Sequence, residues 1–473
     1  MITNIKINGF KSFQNFEMTF TPLTVIAGVN ASGKSNLFDA LKLLSRLAET
    51  DLKTAFSEQR GNAEELFTQY DDNIYATEMQ FTVEMLVNRH IDDNWGGNAE
   101  LNNTRLKYTL KIARSKSEYG FQSLNIAYES LEKIKPEDDK WAKEILSSTK
   151  DAKQLWKTLR AGGSKEPFIK VEKEGEILAI KIRQDGGHGG KATPANAAVQ
   201  TVLGGINSVD FKHAFAAKEE MRSWKFLQLN PDDLREPTKQ DVGLKDEITQ
   251  SGKNLAAVLF RIKQRDAYAM KEISRKLNSF LPGFTDVEVL DDSPNRQYVI
   301  KLKGEDGKVF SSRVLSEGTL RILALCVLGY DNEHTGLLCF EEPENGIHPF
   351  RIDAIAQLLK NLSVDFKSEF DFLRQVIVNT HSPVLISTLI KWKKDFNVSV
   401  WLSKQNTLTL NTGEKNIKLK VSRVVPVVKD SESTRQMQLF DYVNENERKL
   451  TLSEVSNYLK SAEAEEAIRS MES

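Results

Sequence analysis

The stretch LTVIAGVNASGKSN, residues 23–36, organises this chain of 473 residues. Its apolar start predicts a strand, and residues 28–35 match the pattern G-x-x-x-x-G-K-[ST] at every fixed position. Small residues let backbone N–H groups surround a phosphate chain, and a following helix directs its positive dipole end towards that phosphate. The stretch predicts a phosphate loop between a strand and a helix. The alternative is a Gly/Ser turn before an amphipathic helix.

Two residues of this loop have distinct predicted roles. Lys34 would neutralise the outer phosphates of a nucleotide, and the Ser35 hydroxyl would ligate Mg²⁺. Residues 37–44 then place leucine and alanine at i, i+3, i+4 and i+7, which predicts a helix with one face on a sheet. The predicted nucleotide-binding residues are Gly28, Asn30, Ala31, Ser32, Gly33, Lys34, Ser35 and Asn36.

Composition limits the class of protein. With 40% hydrophobic residues the chain can build sizeable cores, and its length allows about three domains. No signal peptide and no membrane span are expected, which predicts a cytoplasmic protein without a membrane partner. Cys326 and Cys339 lie in apolar runs and are expected to fill core positions. A net charge of −1 argues against a protein that coats nucleic acid by bulk charge.

The order of patterns predicts an α/β fold in five parts. Alternating apolar residues predict a hairpin before the phosphate loop and an antiparallel β subdomain after it. Helical periodicity follows, clearest at 254–262 and 269–281, and no heptads long enough for a coiled-coil arm are present. The predicted parts are 1–75, first half of the head; 76–193, β subdomain; 194–300, helical insertion; 301–412, second half of the head; and 413–473, basic segment and helical tail.

Two segments carry a local excess of positive charge. Lysine and arginine outnumber aspartate and glutamate across residues 140–191, and residues 415–429 contain no acid. A solvated lysine-rich face is favoured over a phosphate-tracking patch for the first segment. The run GGHGG at 186–190 predicts a loop in which His188 is inert rather than a ligand.

Three stretches in the second half of the chain predict further site residues. LSEGT at 315–319 offers a serine and a glycine at a helix start, which suits an anion, although for this stretch taken alone an ordinary serine N-cap is favoured. LLCFEE at 337–342 is a buried strand that ends in Glu341 and Glu342; neighbouring strand residues face opposite ways, so one carboxylate can serve a metal and the other a water. VIVNTH at 376–381 is a second apolar strand with a polar end.

Together these motifs resemble the ABC-type ATPase heads of the structural-maintenance-of-chromosomes (SMC) and RecF-like class. The match comprises Walker A at 28–35, the signature at 315–319, Walker B at 337–342 and the switch residue His381. The resemblance implies a mixed sheet with a phosphate loop, an antiparallel β subdomain and a helical insertion. It also implies ATP and Mg²⁺ as ligands.

A narrower resemblance points to a subclass. The stretches at 8–20, 251–259, 341–349 and 380–383 are similar to RecF-like predicted ATPases, relatives of the ATPase half of overcoming-lysogenisation-defect nucleases. Such heads also occur as ATPase subunits of bacterial anti-phage systems, beside a separate nuclease or toxin. No Asp-x-Asp follows His381, so any nuclease is expected to come from another gene.

The sequence departs from the class pattern in three ways. Walker B usually ends in aspartate before its glutamate, whereas Glu341 stands there, so hydrolysis could be slow. Glu317 replaces the second glycine of the signature. Gln59 is the better candidate for the glutamine-loop residue and metal ligand, with Gln80 as the alternative.

The resemblance implies that ATP lies between two heads. Ser316, Glu317 and Gly318 of one protomer would meet the γ-phosphate held by Lys34 of the other. Glu342 would polarise the attacking water, and His381 would contact the γ-phosphate.

The resemblance also suggests roles for other residues near these motifs. Ser35, Glu341 and Gln59 would hold Mg²⁺. Lys11 either reaches the nucleotide or is a solvated surface lysine. Glu344 and His348 are expected to shape the dimer seam.

Three functions remain open at the level of sequence. The favoured one is an ATPase homodimer or larger oligomer that acts as a scaffold or sensor for a separate effector from a neighbouring gene, in anti-phage defence. The alternative is an ATPase that clamps DNA in repair or replication. A third is a nucleotide-gated interaction module with negligible turnover.

Overall fold

The structure is a computed structural model. It describes residues 1–472 except 73, 117–121, 148, 150–151, 153–154, 156–165, 175–176, 184–189, 195–197, 242–246, 332–334, 369–371, 393–394, 412–415, 428–438 and 441. The predictions for His188 and Lys415 therefore lie outside the described residues.

Strands and helices are mixed along the described part of the chain. The strands are β1 (Ile2–Asn8), β2 (Phe16–Thr19), β3 (Leu23–Ala27), β4 (Gln69–Asp71), β5 (Ile74–Tyr75), β6 (Glu78–Leu86), β7 (His90–Asp92), β8 (Asn98–Glu100), β9 (Arg105–Lys116), β10 (Gln122–Lys133), β11 (Ile169–Glu174), β12 (Ile177–Arg183), β13 (Gly190–Pro194), β14 (Lys225–Leu227), β15 (Thr238–Lys239), β16 (Phe284–Asp292), β17 (Gln297–Gly304), β18 (Val309–Ser311), β19 (Gly336–Glu341), β20 (Arg374–Thr380), β21 (Val398–Asn411) and β22 (Asn416–Pro426). The helices are α1 (Lys34–Leu47), α2 (Leu52–Ser57), α3 (Lys140–Ile145), α4 (Lys212–Arg222), α5 (Pro231–Arg235), α6 (Leu255–Arg265), α7 (Ala267–Phe280), α8 (Glu317–Gly329), α9 (Ile352–Leu362), α10 (Pro383–Ile390) and α11 (Glu445–Glu472).

A mixed sheet with the strand order β14-β19-β20-β3-β21-β22 forms the centre of the molecule. The strands from β14 to β21 pair in parallel, and β22 pairs antiparallel with β21. Because the carboxyl ends of parallel strands meet at one edge, the polar residues that follow β3, β19 and β20 are brought together. This edge is the nucleotide edge described below.

The mixed sheet separates two hydrophobic cores. Ile26 of β3 packs in one core with Leu41 of α1, whereas Val25 packs in the other with Leu323 of α8. Successive side chains of a strand face opposite ways, so a strand buried on both faces must be apolar throughout. The continuous apolar runs at β3, β19 and β20 are explained by this position.

An antiparallel sheet packs over the α1 side in the order β13-β12-β11-β10-β9-β6-β1-β2. The predicted hairpin is present, with Ile5 opposite Met18, and β1 also pairs with β6. The predicted α/β class with an antiparallel β subdomain is confirmed. The boundary expected at residue 75 does not separate two sheets, because β1 and β2 belong to the same sheet as β6 and β9 to β13; alternation predicts a strand but not its partner.

Two other predicted boundaries also need correction. The segment 194–300 contains the helices α6 and α7, but it also supplies β14 to the mixed sheet and β15 to β17 to a small antiparallel sheet. Residues 416–426, assigned to the tail, form β22 at the edge of the mixed sheet. β14 pairs with the distant strand β19, and β22 reaches the mixed sheet through β21, which pairs with the distant strand β3. Local periodicity reveals neither pairing between distant segments.

The two cysteines are free and buried, as expected for core residues. Cys326 lies in α8 and Cys339 in β19. Burial raises the pKa of Cys326 to about 12, so this thiol stays protonated. Within the described part of the chain, no helix combines the length and apolarity needed to cross a membrane.

Candidate functional site

The phosphate loop connects β3 directly to α1. Gly28 and Gly33 have positive φ angles of 149° and 95°, and Ala31 has φ of 64°, which is unusual for a residue with a side chain. Gly33 is the N-cap of α1, and no side chain caps the helix there. The first N–H groups of α1 are therefore available to an anion, as the sequence predicts.

Lys34 folds back over this loop. Its Nζ donates to the carbonyl oxygens of Gly28 at 2.7 Å and Val29 at 2.9 Å. Burial lowers the pKa of Lys34, and the charge of Glu342 opposes that shift. Ser32 Oγ is buried and has no hydrogen-bond partner among the residues that the structure describes. A buried ammonium and an unpaired hydroxyl in one loop fit a phosphate group, which would accept from both.

Glu342 is held by contacts at the ends of two adjacent strands. It has φ of 47°, and its N–H donates to the carbonyl of Asn379 at 2.9 Å. Oε1 lies 2.8 Å from His381 Nδ1, and Oε2 accepts from Asn345 Nδ2 at 2.6 Å. Because a carboxylate only accepts, Nδ1 carries the proton in this contact. The structure thus pairs the two residues predicted to be catalytic.

Glu341 faces a group of charged residues instead. Its carboxylate lies 3.8 Å from Arg60 Nη2, and that guanidinium also reaches Asp39 at 3.4 Å. Burial raises the pKa of the Glu341 carboxyl. The negative charges of Asp39 and Glu342 raise it further, whereas the positive charge of Arg60 lowers it. Carboxylates that repel one another suit a hard cation, and Mg²⁺ prefers oxygen ligands. Ser35, also predicted to bind metal, is exposed in the first turn of α1.

A glutamine other than the predicted one lines a cavity with the two Walker B carboxylates. Gln228 follows β14, which pairs with β19, and it lines a cavity of about 730 Å³ together with Glu341 and Glu342. Gln59 is buried after α2, with its amide nitrogen 3.4 Å from the carbonyl of Ala55. Gln80 lies within β6 of the antiparallel sheet. The sequence gives no sign of Gln228, because its position depends on the pairing of β14 with β19.

The signature segment begins α8. Ser316 is its N-cap and accepts from the N–H of Thr319 at 3.3 Å, the ordinary role considered as the alternative. Gly318 is buried. The Glu317 carboxylate turns towards its own chain, because Oε2 lies 2.5 Å from the place where a Cβ on Gly346 would be. The acid that departs from the class pattern therefore packs on the loop after Walker B.

Arg321 connects the signature helix with that loop. Burial lowers its pKa, and the charges of Glu317, Glu344 and Glu342 oppose this shift. Nη2 donates to the carbonyl of Leu229 at 3.4 Å, and within the described part of the chain Nη1 has no hydrogen-bond partner. Arg321 was not predicted as a site residue from the sequence. The signal that could have indicated it is an arginine within an otherwise apolar helix.

The remaining candidates have structural contacts. Lys11 donates to Asp39 of α1 at 2.7 Å, and both side chains are mostly buried, so Lys11 is paired and not a solvated surface lysine. Glu344 is buried and accepts from Thr380 Oγ1, and burial raises its pKa. His348 stacks on Phe350 with ring centroids 5.2 Å apart.

Comparison with known proteins adds a family. Residues 23–387 match the family model described as "AAA domain, putative AbiEii toxin, Type IV TA system". No protein among those with curated functions matches the sequence.

Solved structures of SMC heads resemble the chain at 14% sequence identity. The Smc head bound to the C-winged helix domain of ScpA has a TM-score of 0.46 over 91% of this chain and 98% of that one. The SMC head domain from Thermotoga maritima has a TM-score of 0.37 over 90% and 99%. The Smc head with an extended coiled coil, bound to the C-terminal domain of ScpA derived from Pyrococcus furiosus, has 0.41 over 90% and 96%.

Proposed function

Because the chain belongs to the family of AAA domains described as putative AbiEii toxins of type IV toxin–antitoxin systems, we propose a specific role for its ATPase head. Two heads close around ATP and Mg²⁺, and the resulting homodimer or larger oligomer is a scaffold or sensor that controls a separate effector protein in anti-phage defence. The family supports the ATPase activity itself. The oligomer, the metal and the effector are parts of the proposal.

The observation that carries the proposed chemistry is the pairing of Glu342 with His381 beside Lys34. Lys34 holds the outer phosphates, and Glu342 accepts the proton of the attacking water. Asn345 and His381 fix the two oxygens of the Glu342 carboxylate, so this base is oriented before ATP arrives. Catalysis of this kind depends on positioning and charge neutralisation.

The metal would be held by Ser35, Glu341 and Gln228. When bound, Mg²⁺ supplies positive charge to the phosphate oxygens. Gln59, the ligand expected from sequence, is replaced here by Gln228 because Gln228 lines the same cavity as Glu341.

Exposed apolar side chains beside the site motifs support dimerisation. Val29 in the phosphate loop is 62% exposed, Val314 before the signature is 69% exposed, and Phe350 after Walker B is 88% exposed. Large apolar side chains beside a functional edge are typical of an interface. A second copy of the chain would cover all three.

Phe350→Asp is expected to weaken the ATP-dependent dimer at least about tenfold, because an exposed aromatic anchor contributes strongly to an interface and a charge there must be desolvated. Light scattering after gel filtration, with ATP and the hydrolysis-deficient Glu342→Gln background, measures this. Trp95→Asp is the matched control, since Trp95 is 82% exposed on the β7–β8 turn. Equal dimerisation by the two variants would contradict this interface.

The charges of the described surface favour an effector over DNA. In the part of 140–191 that is described, Lys170 pairs with Glu166 and Glu172, Lys181 pairs with Glu172, and Arg183 pairs with Glu166. Lysines paired with local acids are poor phosphate contacts. This supports the solvated face over the phosphate-tracking patch.

We expect the purified chain to show little affinity for duplex DNA at physiological salt, with or without ATP. Charge reversal at Lys418 and Lys420, which are exposed on β22, and at Lys415 should leave that affinity unchanged. Co-expression with the neighbouring gene should yield a complex that ATP turnover loosens. Fluorescence anisotropy over a salt series measures the DNA affinity, and affinity pull-down detects the complex.

One result would favour the alternative, an ATPase that clamps DNA. That result is tight, ATP-dependent DNA binding whose salt slope reports several phosphate contacts and becomes flatter after the charge reversal. A chain that binds ATP without turnover and without DNA would instead match the nucleotide-gated module.

A further inference from the structure

The β21–β22 hairpin contacts the phosphate loop from outside the segment matched by the family model, which ends at residue 387. β21 runs parallel to β3, with Leu402 opposite Ala27, so the next residues of both strands remain neighbours. Ser403 Oγ donates to the carbonyl of Ser32 at 3.0 Å, and Gln405 Nε2 donates to the carbonyl of Ala31 at 2.8 Å. Two carbonyls of the loop are therefore oriented by β21.

These contacts fall where the loop is most strained. Ala31 has φ of 64°, a region that residues with a Cβ rarely adopt. Such a conformation persists only when surrounding contacts fix it. Because the Ala31 carbonyl accepts a hydrogen bond from Gln405, the orientation of the peptide unit after Ala31 is fixed.

β22 contacts the other end of the loop. Ser422 N–H donates to the carbonyl of Ser12 at 2.9 Å, and the two hydroxyls lie 2.7 Å apart. Asn36 Nδ2 donates to the same Ser12 Oγ at 2.7 Å. A Cβ on Gly33 would lie 1.8 Å from Ser422 Oγ. β22 therefore packs directly against the start of α1.

We propose that Ser403, Gln405 and Ser422 are positioning residues that hold the phosphate loop in the shape that accepts a nucleotide. We call these three residues the loop brace. The inference rests on the proposed function, since it concerns the same ATP site. The brace contacts the loop backbone and none of the residues assigned to the chemical step.

This placement predicts a split between binding and turnover. Without the brace the loop samples other conformations, so only a fraction of molecules binds ATP and the apparent Kd rises. Once ATP is bound, the phosphates themselves order the loop, so the turnover rate at saturating ATP stays unchanged. A general loss of folding would lower both.

The test compares Ser403→Ala/Gln405→Ala with a matched control on the same strand. We expect the double variant to bind ATP about 5–30-fold more weakly, the size expected from losing two hydrogen bonds, with kcat within twofold of the parent. Thr407→Ala/Thr409→Ala is the control, because both threonines are exposed further along β21. If the double variant folds poorly, Gln405→Ala alone replaces it in the test, because Gln405 is exposed. Ser403→Thr keeps the hydroxyl, so this variant is expected to bind ATP as tightly as the parent chain does.

A second readout needs no nucleotide. Hydrogen exchange of the amides of residues 28–36 is expected to be at least about fivefold faster in the Gln405→Ala variant than in the control. If the parent chain does not bind ATP, the proposed function fails while exchange still tests the brace. Exchange that is unchanged in the Gln405→Ala variant would overturn the proposal. If the parent chain binds ATP, faster exchange together with an ATP affinity equal to that of the parent chain would also overturn it.

Discussion

Replacing Lys34 by alanine is expected to weaken ATP binding at least about 100-fold, since loss of one preorganised charged donor at such a site costs ~2.7 kcal/mol or more. The ammonium lies inside the loop and donates to the loop carbonyls of Gly28 and Val29. Those carbonyls can turn to water when the side chain is removed. The fold is therefore expected to remain.

Equilibrium titration with a fluorescent ATP analogue measures the affinity, and circular dichroism follows the fold. Lys53→Ala is a suitable control, because Lys53 is an exposed lysine on the neighbouring helix α2. Equal ATP affinity of the Lys34 variant and the parent chain would remove the phosphate loop from the site.

Glu342→Gln is expected to keep ATP binding and to slow hydrolysis by about 100-fold or more, which corresponds to ~3 kcal/mol of lost transition-state stabilisation. The amide has nearly the shape of the carboxylate, but it cannot accept the proton of the attacking water. Because ATP stays bound, the variant should accumulate as a closed dimer.

Single-turnover hydrolysis and light scattering measure these two effects. His381→Ala should slow the reaction as well, and the double variant should lose less than the product of the single losses, because Glu342 and His381 contact each other at 2.8 Å. A loss below tenfold in Glu342→Gln would mean that another group positions the water.

Sequence patterns predicted the central parts of this site for a clear physical reason. Strands buried on both faces must be apolar, so β3, β19 and β20 are visible as continuous runs, and the polar residues at their ends are marked by contrast. The phosphate loop, Glu342 and His381 could therefore be predicted before any contact was known. Their assembly at one edge follows from parallel pairing.

Other parts of the site depend on contacts between distant segments. Gln228 is beside Glu341 only because β14 pairs with β19, and three residues of β14 are too few for a clear pattern. Lys11 forms an ion pair with Asp39, and the sequence around either residue does not predict this pairing. The turn of Glu317 towards Gly346 likewise needs the loop after Walker B in place.

The position of β3 in the mixed sheet has a consequence for how the molecule folds. β3 is synthesised long before its two neighbours, β20 and β21, which begin at Arg374 and Val398. Contacts between segments so far apart form slowly, and strands without partners invite aggregation. During synthesis the sheet around the phosphate loop therefore stays incomplete until residues beyond 402 have left the ribosome. Nucleotide binding in a growing chain is expected to appear late and abruptly, when β21 inserts beside β3.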